Sequence, residues 1–173
     1  MRRIQRHDIL VAGSFIIGLD VDEPGIGLRI ADAATRYGVD NLNALFLTPL
    51  PGTRLWDQMK AEGRLVLDHF PEDWNYYTLT FPVGRYRHLS TSDVIQEMVA
   101  CNRTFYALPW ILRRTVGSLW QRRAPLISLV GNLSYRSNFQ RDCRSYAEFQ
   151  RQLARRGQEA PPQTLRPART GSQ

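Results

Sequence analysis

Residues 45–54 read Leu45-Phe46-Leu47-Thr48-Pro49-Leu50-Pro51-Gly52-Thr53-Arg54, and this stretch decides how the chain is organised. An apolar run, Leu42 to Leu47, enters it, and a helical pattern of Leu55, Trp56 and Met59 leaves it. That order predicts a strand, a stiff turn and a helix. Pro49 and Pro51 fix φ and push Thr48 and Leu50 toward extended backbone, so the strand ends here. Gly52 frees the chain, and Thr53 is placed to cap the helix that follows, to about Ala61. Loops of this kind, at the carboxyl end of a strand, are where α/β folds hold their ligands.

A second strand is expected about thirty residues earlier, where Ile9 to Ile17 is apolar or small at nearly every position. Such a run fits a strand buried on both faces of a parallel sheet. Gly18 relaxes its end, and Asp20, Asp22 and Glu23 follow. Pro24 and Gly25 then open a helix to about Tyr37, with Ile26, Ile30, Ala33 and Ala34 at helical spacing and Gly38 as its stop. The interval suits one strand–helix–strand crossover, which makes the class α/β.

Read in order, G-S-F-I-I-G-L-D-x-D (13–22), the helix end Tyr37-Gly38-Val39, L-T-P-L-P-G-T (47–53), M-K-A-E-G-R-L (59–65) and D-W-x-x-Y (73–77) resemble a known pattern. Over roughly residues 1–110 the chain is similar to the C-terminal part of radical S-adenosylmethionine (radical SAM) enzymes, nearest the subfamily with a cobalamin-binding domain. The resemblance implies the last two β/α units of a partial (β/α) barrel, followed by a helical extension. It implies S-adenosylmethionine, a [4Fe–4S] cluster and cobalamin as cofactors of the parent family, and radical chemistry that ends in methyl transfer in many relatives. The family's cluster motif, CxxxCxxC, does not occur here; the two cysteines are Cys101 and Cys143. The chain is therefore expected to be a C-terminal fragment or the small half of a split enzyme. Its expected partner is the missing N-terminal cobalamin and radical SAM portion. The alternative is a non-catalytic module derived from such an enzyme, for partner binding or peripheral membrane association.

By the same resemblance, Gly13, Phe15, Ile16 and Gly18 would line one side of the SAM adenine, with Leu47, Thr48 and Pro49 on the other. Asp20, Trp74 and Tyr76 are substrate-cavity candidates, and no catalytic or metal-ligating residue is assigned. Each has a plainer reading. The glycines and prolines serve tight strand–helix connections. The acids of 20–23 suit a helix N-terminus, where negative charge meets the positive end of the dipole. Trp74, Tyr76 and Tyr77 serve the packing of an irregular segment.

Four regions follow from the patterning: β/α units over 1–64, an irregular aromatic-rich connection over 65–89, a helical extension over 90–154 and a disordered tail over 155–173. Thr78 to Phe81 reads as a short strand stopped by Pro82. Ser90 to Asp93 forms a helix start ahead of Val94, Ile95, Met98 and Phe105. Pro109 breaks or restarts that helix, a segment runs from Trp110 to about Gln121, and another from Pro125 to about Ala154 with a break near Gly131.

The chain has 173 residues and a net charge of +7, split unevenly: −2 over residues 1–86 and +9 over 87–173. Of its 23 basic residues 22 are arginine, a skew that reads as codon bias and weakens any case for nucleic acid. Two distant cysteines suit a reducing, cytoplasmic setting. Cys101 falls on the buried side of a helix, and nothing near Cys143 in sequence supplies a base. His7, His69 and His88 lack zinc-like spacing. The basic N-terminus followed by an apolar run reads as a strand lead-in and not a signal peptide. Residues 109–123 carry Trp110, Trp120 and four arginines among aliphatics. They fit either an interfacial helix at a membrane surface or an amphipathic helix docked on its own protein.

Overall fold

The computed structural model describes Gln5, His7 and residues 9–120 and 125–156, with the backbone alone at 118–120 and 125. Strand β1 (Ala12–Ile17) lies parallel to β2 (Asn41–Phe46), Ala12 opposite Asn41 and Ile17 opposite Phe46. Helix α1 (Ile26–Tyr37) makes the crossover between them and ends at Gly38, whose φ of 70° is left-handed. Helix α2 (Arg54–Ala61) starts at Thr53, whose hydroxyl accepts the Trp56 N–H at 3.3 Å. A 3₁₀ turn (Glu72–Tyr76) follows. Helix α3 (Thr91–Phe105) is opened by a reciprocal capping box between Ser90 and Asp93. Helices α4 (Leu108–Trp120) and α5 (Pro125–Arg155) complete the chain.

The architecture is mixed α/β but mostly helical. Among the described residues the sheet has two strands, and no barrel is formed. Ile17, Leu42 and Phe46 point into one core with Ile30, Ala34, Val94, Met98, Phe105 and Tyr146. A smaller cluster joins Val66, Leu67 and Val83 to Phe149 and Leu153, so the far end of α5 packs on the 65–89 segment.

Several expectations need correction. β1 begins at Ala12, three residues later than the apolar run suggested, and is buried on one face only. Ala12, Ser14 and Ile16 are exposed because helices cover the Ile17 side and no described element covers the other. Thr78 to Phe81 is not a strand; it turns at Leu79, whose φ is 64°. The segment nevertheless meets β2, since the Leu79 carbonyl accepts the Phe46 N–H at 2.9 Å. A single hydrogen bond replaces a ladder. α5 runs through Gly131 without a break, and an added Cβ there would stand 3.4 Å from the Asn41 amide. The restart at Pro109 is as expected: one helix ends at Phe105, and Pro109 falls in the first turn of α4, where its missing N–H costs nothing. Arg155 ends α5 rather than opening a tail, and Arg156, in the turn that follows, pairs with buried Asp73. The rest of that tail, 157–173, lies outside the described residues, as do Gln121, Arg122 and Arg123.

Candidate functional site

The parallel pair brings the two singled-out loops to the same end of the sheet. Leu47 N–H donates to the Ile17 carbonyl at 2.8 Å, extending the ladder one step past β2 and setting Gly18 beside the Leu47-Thr48-Pro49 turn. Gly18 takes φ 103°, a left-handed value that a side chain resists. Its N–H and that of Leu19 donate to the Asp22 carboxylate at 2.8 and 2.9 Å, which folds the loop back on itself.

The space beside Gly18 is already filled. A Cβ there would lie 2.3 Å from the Tyr86 ring, and the Tyr86 hydroxyl reaches the Leu47 carbonyl at 3.4 Å. Burial pushes the Tyr86 phenol well above its ordinary value. Gly13 is similarly crowded, by Phe15 and Val39. Thr48 and Pro49 are buried, and the Thr48 hydroxyl donates to the Phe46 carbonyl. The apolar residues that stay accessible at this end are Ile16, Leu19 and Leu50, beside the partly exposed Asp20 and Arg87.

Asp20 is held by two arginines. Arg64 donates to it at 2.6 Å and Arg87 at 2.9 Å, while Arg64 also meets Glu62 at 3.0 Å and the Arg85 carbonyl at 2.9 Å. Burial alone would lower the Arg64 guanidinium; hydrogen bonds to Asp20 and Glu62 more than reverse it, and the net shift is upward. The pairing rests on a small antiparallel bridge between Leu65 and Gly84, which carries Arg64 and Arg87 under the β1 loop. Trp74 and Tyr76 stand elsewhere. Trp74 is exposed against Phe70, and Tyr76 packs on Phe81 and Phe149 and bonds Gln152 of α5. The carboxylates of Asp20, Asp22 and Glu23 do not cap α1; the Ile26 N–H donates to the Glu23 backbone carbonyl at 3.1 Å. The carboxylate of Glu97 in α3 does, accepting from the N–H groups of Gly25 at 2.7 Å and Gly27 at 2.8 Å.

Arg64, Tyr86, Arg87 and Glu97 were missed by sequence reasoning because their partners lie tens of residues away. Nothing local marks such pairs. The strand-end surface offers shape and apolar contact, with Asp20 and Asp22 both engaged inside the chain.

A separate cavity of about 630 Å³ lies between the end of α3, the α3–α4 junction and α5. Arg103, Arg136, Leu108, Phe139 and Cys143 are on its wall, and it includes none of the strand-end residues. Cys101 is fully buried, and burial raises its thiol to about 12; Cys143 is half-buried and also raised. The described residues hold no group of three His, Cys, Asp or Glu side chains fit for a metal.

Comparison with known proteins gives two partial likenesses. The chain is 27% identical over 116 residues to an uncharacterized methyltransferase of Pyrococcus horikoshii, covering 67% of this chain and 24% of that protein. It is 37% identical over 68 residues to the hopanoid C-2 methylase of Rhodopseudomonas palustris, covering 39% of this chain and 13% of that protein. The chain thus spans less than a quarter of the length of either, and both are described as acting in methyl transfer. No protein-family model matches the chain, and no solved structure does.

Proposed function

We propose that the chain is the C-terminal portion of a cobalamin-type radical SAM methyltransferase, contributing strand ends to the adenine side of the S-adenosylmethionine site. One observation carries the reading: two parallel strands whose carboxyl ends lie side by side, in a segment similar to two methyl-transfer proteins. In this reading Ile16 gives the base an apolar wall, while Ile17, Gly18, Thr48 and Pro49 form the rigid frame behind it. Gly18 itself is taken by Tyr86, so the accessible contact falls on the Ile16 side.

A [4Fe–4S] cluster does not fit this chain's own residues. Cys101 is buried within α3 and Cys143 lies on α5. In this reading the cluster and cobalamin are held by the remainder of the protein. The small sheet agrees with a part-built fold, since two strands alone are marginal and β1 has β2 as its one strand neighbour among the described residues.

The test is to translate the DNA upstream of Met1 in all three frames. A frame carrying a cobalamin-binding domain and CxxxCxxC is expected. Co-expression of that polypeptide with this chain should then yield SAM-dependent formation of 5′-deoxyadenosine, and Ile16→Asp should weaken SAM binding. Unrelated upstream DNA would end the reading.

A further inference from the structure

The first half of α5 is built inside out. Ser128 and Asn132, one turn apart, are 1% and 0% exposed, whereas Leu126, Ile127 and Val130 are 73%, 62% and 65% exposed. A helix docked on its own protein in water does the opposite, burying its apolar stripe and presenting its polar one. Here Ser128 and Asn132 face the protein, and of the apolar residues from Leu126 to Val130 Leu129 alone is partly buried against the core. Asn132 donates to the Asp40 carbonyl at 3.2 Å and accepts from Arg114 at 2.6 Å.

α4 sets Ile111 in the core but also presents a second apolar row outward. Leu108, Leu112 and Val116 recur every fourth residue and are all exposed, while Arg114 turns inward to the Phe105 carbonyl and Asn132. The two helices pack on each other, and both carry exposed apolar residues.

Charge supplies an independent argument. Between Val99 and Arg141 the chain has seven arginines and no carboxylate, and the net charge of the whole chain is +7, so the remainder is balanced. Exposed apolar residues on a stretch of sequence that is free of acids and rich in arginine match the two layers of an anionic bilayer, acyl boundary and phosphate. A partner protein of mixed surface charge would leave the arginine excess unanswered. No described helix is long and apolar enough to cross a membrane, so the contact is interfacial.

We propose that the α4–α5 pair seats in the interface of an anionic phospholipid bilayer, with Val116, Leu126, Ile127 and Val130 at the acyl boundary and the arginine excess of this segment drawing it to the phosphates. The proposal is independent of the radical SAM reading, since it uses neither strand end nor cofactor.

The test is flotation of the full chain with phosphatidylcholine–phosphatidylglycerol vesicles and with phosphatidylcholine alone. Binding to the anionic vesicles, weakened by salt, is expected, with little to the neutral ones. Leu126→Asp with Ile127→Asp should reduce it by at least about tenfold, because both apolar contributions are lost. Circular dichroism checks that the double variant folds; if it does not, Val130→Asp alone decides. Binding that survives these substitutions, or its absence in a folded parent chain, overturns the proposal. So does concentration-dependent self-association that the same substitutions abolish while vesicle binding is nil; that result would give the face to a second copy.

Discussion

The hydroxyl of Tyr106 serves both backbone groups of Leu42, donating to the carbonyl at 2.6 Å and accepting the N–H at 2.9 Å. Those backbone groups lie on the edge of β2 away from β1, where a further strand would otherwise pair. One phenol from α3's C-cap stands in for a strand neighbour. Tyr106→Phe should leave two buried groups unpaired and cost about 2–3 kcal/mol. Thermal melting followed by circular dichroism should fall by roughly 5–10 °C. An unchanged melt would mean that the hydroxyl contributes nothing net.

Burial raises the phenols of Tyr77, Tyr86, Tyr106 and Tyr146 above the ordinary tyrosine value. In the unfolded chain each loses its proton near pH 10, while the folded state holds it to higher pH. Folding is therefore fully supported below about pH 10 and loses support as pH rises from there toward the raised folded values. Urea midpoints should stay level on the neutral side and drop steeply in alkali. Tyr106→Phe should make the drop shallower, and an equal drop would remove Tyr106 from the account.

Gly18→Ala combines two penalties, a Cβ in left-handed backbone and its overlap with the Tyr86 ring. A loss of about 2–4 kcal/mol is expected from strain and overpacking together. The double variant with Tyr86→Ala should recover the overlap part relative to Tyr86→Ala alone, leaving the backbone part. Full additivity of the two substitutions would refute the packing of the ring on the glycine.

The two thiols should differ in reach. Burial holds Cys101 up to about 12, and Cys143 is raised but half-exposed at the cavity wall. Under native conditions iodoacetamide should alkylate Cys143 first, with Cys101 reacting only as the chain unfolds. Mass spectrometry of the labelled peptides reads the order. Equal rates would show that α3 opens readily.

The elements were legible where local chemistry is strong. The Pro-Gly turn after Thr48, the Thr53 and Ser90 caps and the Gly38 stop all form as read, because each depends on residues within one turn of chain. The strand over 78–81 and the break at Gly131 were misread for the same reason from the other side. Leu79 turns where it meets β2, and Gly131 stays helical in a long, packed α5. At the strand ends the sequence marked Gly18, Asp20 and Thr48 but not what fills or binds them. Tyr86, Arg64 and Arg87 arrive by tertiary folding, and no spacing rule announces them. Likewise, α5 reads as an ordinary helix until burial reveals which side faces the protein.

The single carboxylate that closes the start of α1 bears on how the fold opens. α1 has no acid in its first turn and no cap of its own; both oxygens of Glu97, 72 and 70 residues along the chain from Gly25 and Gly27, complete it. Gly27 also lets the α3 backbone come so close that a Cβ would stand 2.1 Å from the Glu97 carbonyl. α1 therefore keeps its N-terminal anchor only while α3 is docked, so the two should open together. In hydrogen exchange the first-turn amides of α1 and the middle of α3 should open as one unit, with a common free energy.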